Sequence, residues 1–469
     1  MAGTHLFHGC QAAPLLPEST PFYCTRTIFF KPAFYCVEGS GVKTNPMKIN
    51  AGTPDSVNQQ VIVIGAGVIG LANAVTLARR GFKVTVIDKE GVAAGASFGN
   101  AGHFATEQVF PLADPSLLPK LPKMLLDPLG PFRIRPAYFH RALPWFVRFI
   151  VNMMPARRQH NGNAIKALNA RSMAATKELL TFCGRADLLV ENGSLLVFET
   201  QDPRVMEQEL ALYNDAGIAV RLLSGDEARA LEPDLSDAIS GALWFTEVGH
   251  TPNPRAICEA LADTLKALGG RIEIDSVCSL QGGNTPSVTT ETGKVTKADK
   301  LLLCAGAWSR PLALKLGHRV PLETERGYHL MMPQHSGLKR PVASYERKFI
   351  ITPMEDGTRL AGTVEFGGLN APMSNARADC LLPHARVLLP KVFATARVSE
   401  GKRWMGFRPS LPDSLPVLGE SQTPGVYFAF GHQHLGLTWA ASSAELLGQL
   451  ICGETPSIDL SPYCVKRFD

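Results

Sequence analysis

The residue types and spacing best suited to chemistry begin with three glycines. Gly65-Ala66-Gly67-Val68-Ile69-Gly70 has the pattern G-x-G-x-x-G, and Asp88 lies eighteen residues after Gly70. Such a set can hold a dinucleotide. Gly65 permits a tight turn, Gly67 lets backbone approach a pyrophosphate, and Gly70 lets a helix pack closely on a strand. The phosphates then meet the positive end of that helix. Asp88, with Lys89 beside it, is placed to accept hydrogen bonds from ribose hydroxyls. An acid here suits NAD and FAD alike and disfavours a 2′-phosphate. Metal chemistry is not expected. The ten cysteines are scattered without a CxxC pair, and His432-x-His434 has no third ligand by spacing. Scattered cysteines in a large chain read as reduced, mostly buried thiols, which points to a cytoplasmic protein.

The elements that must position this set are legible around it. Gln60 to Ile64 reads as a buried strand, β-branched on both faces. Leu71, Ala74, Val75 and Ala78 share one helical face, and Gly81 is a C-cap signal. Lys83 to Ile87 reads as a second strand ending at Asp88, which completes a βαβ unit. The apolar stretch Val61 to Ala78 could pass for a membrane span, but three glycines interrupt it and Arg79-Arg80 closes it. After the unit, Ala94 to His103 forms a small glycine-rich loop that includes Ser97, Asn100, Ala101 and Gly102. A nicotinamide enzyme would run into a further helix here, whereas such a loop lets backbone reach along an extended cofactor.

Composition narrows the class. In 469 residues, 45% are hydrophobic and 19% charged, so there is material for a large core and disorder is excluded as the main theme. The net charge of +5, from 47 basic and 42 acidic residues, does not demand nucleic acid and permits a weak attraction to an anionic membrane. Residues 1–46 carry no countable period and differ from the rest of the chain. They are read as a leader, untranslated, removed or disordered, with the working protein starting at Met47.

Beyond the glycine-rich loop the sequence resembles the FAD-dependent amine and amino-acid oxidoreductases of the D-amino acid oxidase superfamily, from about Val57 to the C-terminus. It looks closest to bacterial D-amino acid dehydrogenases, whose loop contains Asn-Ala-Gly, as at Asn100-Ala101-Gly102. Arg271 to Val277 resembles the family strand whose valine backbone, here Val277, holds the adenine. Ala305-Gly306-Ala307-Trp308 resembles the turn that closes over the dinucleotide. Gly406-Phe407-Arg408-Pro409, with Pro412-Asp413 and Pro416 to Gly419, matches the Arg-Pro signature. Gly431-His432-Gln433-His434-Leu435-Gly436-Leu437-Thr438 resembles the last flavin-binding turn and opens a helix from Trp439 to Ile451. No cysteine lies between Cys380 and Cys452, where related sarcosine oxidases bond the flavin, so non-covalent FAD is implied.

The resemblance implies an α/β architecture: a discontinuous, Rossmann-like FAD-binding domain and an α+β substrate domain with an antiparallel sheet. The FAD domain is assigned 57–107, 240–315 and 401–469. Residues 108–239 supply mainly the substrate domain and a helical cover, 316–400 the rest of the substrate domain, and 1–56 the leader. Gly193 to Phe198 and Gly357 to Val364 read as substrate-domain strands, and Ala137 to Met154 as an aromatic-rich helix.

The implied reaction is oxidative deamination of a D-amino acid by hydride transfer to flavin N5, giving an imine and then a 2-oxo acid and ammonia. D-proline or D-hydroxyproline is an allowed substrate. Arg408 is the expected carboxylate anchor, because its planar fork binds both oxygens. Tyr328, in a Gly-Tyr element, is a candidate second donor, or a core tyrosine with a satisfied hydroxyl. His103 stands where the dehydrogenases often have glutamine and could accept the amine proton. His434 is a candidate for the pocket wall, and His432 for ordering the turn. Trp145, Phe146 and Phe149 read either as core or as a membrane contact beside Arg141, Arg148, Arg157 and Arg158. The expected acceptor is a quinone or an electron-transfer chain, with peripheral contact at an inner membrane. Two other readings stay open: a glycine or sarcosine oxidase using oxygen, and a flavin-binding assembly subunit without turnover.

Overall fold

Val61, Val63 and their neighbours Ile62 and Ile64 are all buried, which is what a strand that is β-branched on both faces requires. The computed structural model describes residues 58–120 and 127–469. In it Gln60–Ile64 is a central strand of a six-stranded sheet. The order is Val417–Glu420, Val426–Phe430, Lys300–Leu303, Gln60–Ile64, Lys83–Asp88 and Arg271–Ile274. All pairs are parallel except the first, which is antiparallel. Val61 and Val63 pack with the helices Val68–Arg79, Pro254–Ala267 and Gly436–Ile451. Ile62 and Ile64 pack on the opposite face with Leu280 and Val288 of a small antiparallel sheet. Both faces are thus covered, as a parallel sheet demands. The leader expected at 1–56 lies outside the described residues, as do residues 121–126.

A nine-stranded mixed sheet forms the second layer. Eight strands run in the order Lys402–Ser410, Glu323–Met332, Gly357–Phe366, Phe349–Met354, Val342–Ser344, Ser194–Phe198, Gly241–Phe245 and Val220–Ser224. Phe132–Ile134 adds to Gly357–Phe366 in parallel. Two segments assigned from sequence to the FAD domain belong here instead. Gly241–Phe245 pairs antiparallel with both Ser194–Phe198 and Val220–Ser224. Lys402–Ser410 pairs along Glu323–Met332, with Glu325 opposite Arg408 and Gly327 opposite Gly406. Gly406 and Pro409 argue against a strand in isolation, but an edge strand tolerates both.

The aromatic-rich segment forms a 3₁₀ turn, Pro136–Tyr138, and a helix, Phe139–Val151. The long helix Pro155–Phe182 comes next and lies on Gly436–Ile451 through an apolar cluster that includes Leu168 and Ala444 and through polar contacts. Trp439, fully buried, donates from Nε1 to Asn169 Oδ1 at 2.6 Å. Asn169 Nδ2 donates in turn to the carbonyls of Thr106 and Gln108, each at 3.0 Å. One amide side chain therefore holds the chain on both sides of Glu107. We predict that Asn169→Ala, which leaves an indole N–H and two carbonyls unpaired, destabilises the fold by about 3 kcal/mol. A thermal melt of the flavin-loaded protein checks this.

Candidate active site

Gly65 occupies the first turn with φ of +112°. A Cβ there would meet the Cys304 carbonyl at 2.5 Å, and one at Gly70 would meet the Gly65 carbonyl at 1.9 Å. Strand, turn and helix are thus packed to backbone contact, as the glycine spacing predicts. Ser97 reaches in from the loop after the second strand and accepts the Val68 amide through Oγ at 3.0 Å. Asp88 does more than face a ribose. Its Oδ2 accepts the Ala66 amide at 2.7 Å, and its Oδ1 accepts the amides of Glu90 and Gly91 at 2.8 Å each. A carboxylate offers about four acceptor positions, so one remains for a hydroxyl. Lys89 Nζ lies 4.0 Å over the Trp308 ring.

One cavity of roughly 1740 Å³ runs from this turn to the mixed sheet. That exceeds the usual range of about 300–1,000 Å³ for a drug-sized ligand, and accommodates a dinucleotide with a small molecule beside it. Its wall includes Gly65, Gly67, Val68, Ile69, Asp88, Lys89, Ser97, Asn100 and Ala101. Val277, Ala305, Gly306, Gly431, His432, Gly436 and Leu437 also line it. Four expected cofactor residues are not in the wall but behind it. Ala66 and Gly70 support the turn. Gly102, with φ of +75°, has its carbonyl bonded by the Thr251 amide. Thr438 Oγ1 accepts the Ala105 amide at 3.0 Å. The donor set, the backbone-close glycines and the cavity's length fit FAD, which Gly67, Asp88, Ser97, Val277, Gly306 and Gly436 would hold.

Arg408, Tyr328, His103 and His434 take different positions. Arg408 projects from the edge strand into the cavity, and a Cβ on Gly327 would sit 2.4 Å from its Cζ. The guanidinium therefore lies on bare backbone. Among the described residues no side chain hydrogen-bonds it. Burial pulls its pKa down, and the nearby Glu325 carboxyl opposes that. Burial also pushes Glu325 up, while Ser410 Oγ donates to its Oε1 at 2.6 Å.

Tyr328 is a correction. Its hydroxyl donates to Glu365 Oε2 at 2.7 Å, and the same oxygen accepts Arg326 Nη1 at 2.7 Å. The side chain is 1% exposed and stands on the sheet face opposite Arg408, because neighbouring strand residues alternate. It is the core tyrosine with a satisfied hydroxyl.

His103 and His434 both line the cavity. His103 Nε2 meets Glu107 Oε1 at 2.9 Å, and its Nδ1 is buried without a partner among the described residues. His434 Nε2 donates to Gln108 Oε1 at 2.6 Å, which leaves Nδ1 as an acceptor. Burial and the charge of Arg408 hold His434 at about 4, so it is neutral at neutral pH. His432 is buried and bonded through Nε2 to Ser443 Oγ at 3.1 Å; it orders the turn.

Sequence reasoning missed Glu107, Gln108, Glu325 and Trp404. Trp404 stacks on His329 at 4.8 Å and closes on Gly99, where a Cβ would lie 2.3 Å from the indole. Parity with Arg408 along the strand was the one available signal for Trp404.

Buried histidines shape the response to acid. His250 and His434 are held at about 4, His329 and His432 at about 3, each first by burial. The unfolded chain binds these protons near pH 6.5, and the folded chain refuses them. Their stabilising effect is therefore complete above about pH 6.5 and is lost as pH falls towards 4. We expect the melting temperature to fall steadily over that window, and His432→Gln to flatten the decline. A second test concerns Arg408, the expected carboxylate anchor. Gly327→Ala should displace the guanidinium and weaken carboxylate binding by about 10- to 100-fold, with flavin content unchanged, as read by titration of the flavin spectrum.

A model of the FAD-dependent oxidoreductase family matches residues 60–450. A D-amino-acid oxidase from Bradyrhizobium diazoefficiens is 34% identical over 417 residues, 87% of this chain and 99% of the relative. A D-amino acid dehydrogenase from Vibrio vulnificus is 28% identical over 411 residues, 84% of this chain and 96% of the relative. Among solved structures, glycine oxidase from Geobacillus kaustophilus shares the fold with a TM-score of 0.68 at 22% identity, covering 87% of this chain and 99% of that one.

Proposed function

This chain belongs to the family of FAD-dependent oxidoreductases, and on that premise we propose that it oxidises the carbon–nitrogen bond of D-amino acids. The observation that carries the reading is Arg408, a guanidinium with no hydrogen-bonding side chain among the described residues, set in the same cavity as the dinucleotide turn. A planar cation that no described side chain hydrogen-bonds suits a carboxylate, which it can bind through two parallel hydrogen bonds. The name of the 34% identical relative supports the D-amino acid class.

FAD, when bound, supplies the two-electron acceptor. The chain supplies position and proton handling. Arg408 holds the substrate carboxylate and so fixes where the α-carbon lies. His434, neutral beside Arg408, offers Nδ1 as an acceptor for an amine N–H. His103, oriented by Glu107 through Nε2, offers Nδ1 to the amine proton. Loss of that proton frees the nitrogen lone pair that assists oxidation. The cavity lining of Trp404 and Trp308 excludes water around the reacting carbon. The imine so formed is hydrolysed to a 2-oxo acid and ammonia, or is kept as a ring when the substrate is D-proline-like. For reoxidation we assign a quinone or a component of an electron-transfer chain, supported by the exposed apolar residues Phe139, Leu143 and Ile150 in the cavity wall.

An anaerobic panel of D-amino acids, D-hydroxyproline, glycine and sarcosine, monitored by bleaching of the flavin band, tests the assignment. D-amino acids should bleach it. Bleaching by glycine or sarcosine alone would replace the reading with a glycine or sarcosine oxidase, and bleaching by none would remove it. Arg408→Ala should weaken substrate binding by about 30- to 150-fold, equivalent to about 2–3 kcal/mol. An unchanged KM and kcat would take Arg408 out of the site.

A further inference from the structure

The cavity does not end at the two histidines. It continues to Phe110, to Glu209 and Tyr213 of the helix Pro203–Asp215, and to Phe245 and Tyr345 beside the mixed sheet. The Tyr213 ring meets the Phe245 ring edge-on at 4.8 Å and the Phe110 ring at 5.7 Å. Glu209 and Tyr213 are four residues apart, so they share one face of their helix. The Tyr345 hydroxyl hydrogen-bonds the Glu209 carboxylate. Burial first, and then the charges of Glu107 and Glu209, push the Tyr213 hydroxyl up. Both acids therefore lie within electrostatic reach of that ring.

Glu107 is only half used by the rest of the protein. It lines the cavity and is 6% exposed. Its Oε1 meets His103 Nε2 at 2.9 Å, whereas its Oε2 is buried with no hydrogen-bond partner among the described residues. An imidazole that donates from Nε2 and keeps Nδ1 as an acceptor is neutral, so it leaves the carboxylate charge uncancelled. A buried charge is costly until an opposite charge completes it. Aromatic ring faces also attract cations, so the neighbouring rings favour the same kind of guest. Lys348 lines this end of the cavity too, but it is exposed, with Nζ 4.1 Å over the Tyr345 ring. Water and salt screen a charge placed there. The carboxylate anchor adjoins the compartment through a short chain of contacts. His434, which feels the charge of Arg408, donates to Gln108, the next residue after Glu107.

We propose that Glu107, with Phe110 and Tyr213, forms a pocket for a cationic side chain, so that the preferred substrates are D-amino acids ending in a guanidinium or ammonium group. The substrate carboxylate sits on Arg408, its side chain runs along the Gln108 wall, and its terminal cation completes Glu107 Oε2. Glu209 adds a second negative charge to the same compartment. This proposal rests on the reading of the site as one for D-amino acids.

Two carboxylates without an α-amine isolate the side-chain contact from the reaction. 5-Guanidinopentanoate ends in a cation, and 5-ureidopentanoate is its neutral isostere. Titrated into the full, flavin-loaded chain and followed by the flavin spectrum, the guanidinium compound should bind about tenfold or more tighter. Glu107→Gln should bring the two affinities to within about threefold of each other, and Tyr213→Leu should shrink their ratio by about threefold. Each ratio is taken within one variant, so a general effect through His103 cancels. Equal binding of the two compounds by the parent, or the full ratio surviving in Glu107→Gln, would overturn the proposal. In anaerobic assays D-arginine and D-lysine should bleach the flavin at lower concentration than D-methionine and D-glutamate, and the reverse order would also overturn it. Bleaching by no D-amino acid would strike the oxidation reading. Oxidation of D-methionine with no preference for the guanidinium compound would strike this pocket alone.

Discussion

The candidate site is arranged around a cation that no side chain of the described residues hydrogen-bonds. Arg408 carries it into a cavity where burial penalises it, and the nearby Glu325 carboxyl offsets part of that cost. Taking a charge out of water is unfavourable unless it is paired. The fold sustains it by holding the guanidinium rigidly. Its strand is laddered along Glu323–Met332, its plane rests on the backbone of Gly327, and Ser410 ties down Glu325 beside it. A group held in this way loses little entropy when a carboxylate arrives, which is what preorganisation means for binding.

Residues of both sheets line the cavity, and so do His103, Ala105, Glu107, Gln108 and Phe110 of the segment between Gly102 and Phe110. It is anchored to the C-terminal helix by the Ala105 amide on Thr438 and to the long helix by Asn169. His103 pairs through its backbone with His250, and its ring pairs with Glu107. The stretch that carries His103 and Glu107 is therefore fixed by elements from three distant stretches of chain. The nucleotide turn is different. Its contacts among Gly65, Gly70, Ser97 and Asp88 arise within a few dozen residues.

That contrast explains what was legible. The βαβ unit could be read directly, because apolar period, glycine spacing and terminal acid are all local. Arg408 could be read through its Arg-Pro resemblance, but its strand could not, since Gly406 and Pro409 mask an edge strand whose partner lies some eighty residues away. Tyr328 stayed open between two roles for want of parity: one position along a strand exchanges the cavity face for the buried one, and a bulge between Gly327 and Tyr328 adds to the ambiguity. Glu107 carries no motif at all, and only its partner His103 drew notice. In the Phe139–Val151 helix both faces are apolar, so periodicity could find the helix but not its inward side.

Gly327 and Gly406 stand opposite each other on adjacent strands, one beneath Arg408 and the other beneath the Trp404 indole. The two planar groups lie on a strip of main chain that offers no room for a methyl. The anchoring end of the cavity is thereby frozen, and variation there would be punished at the first added carbon. The 102–110 segment, which brings His103, Glu107 and Gln108 to the cavity wall, lies outside that strip. Divergent descendants of this scaffold can retune what they accept at that wall while inheriting the same handle for the acid group.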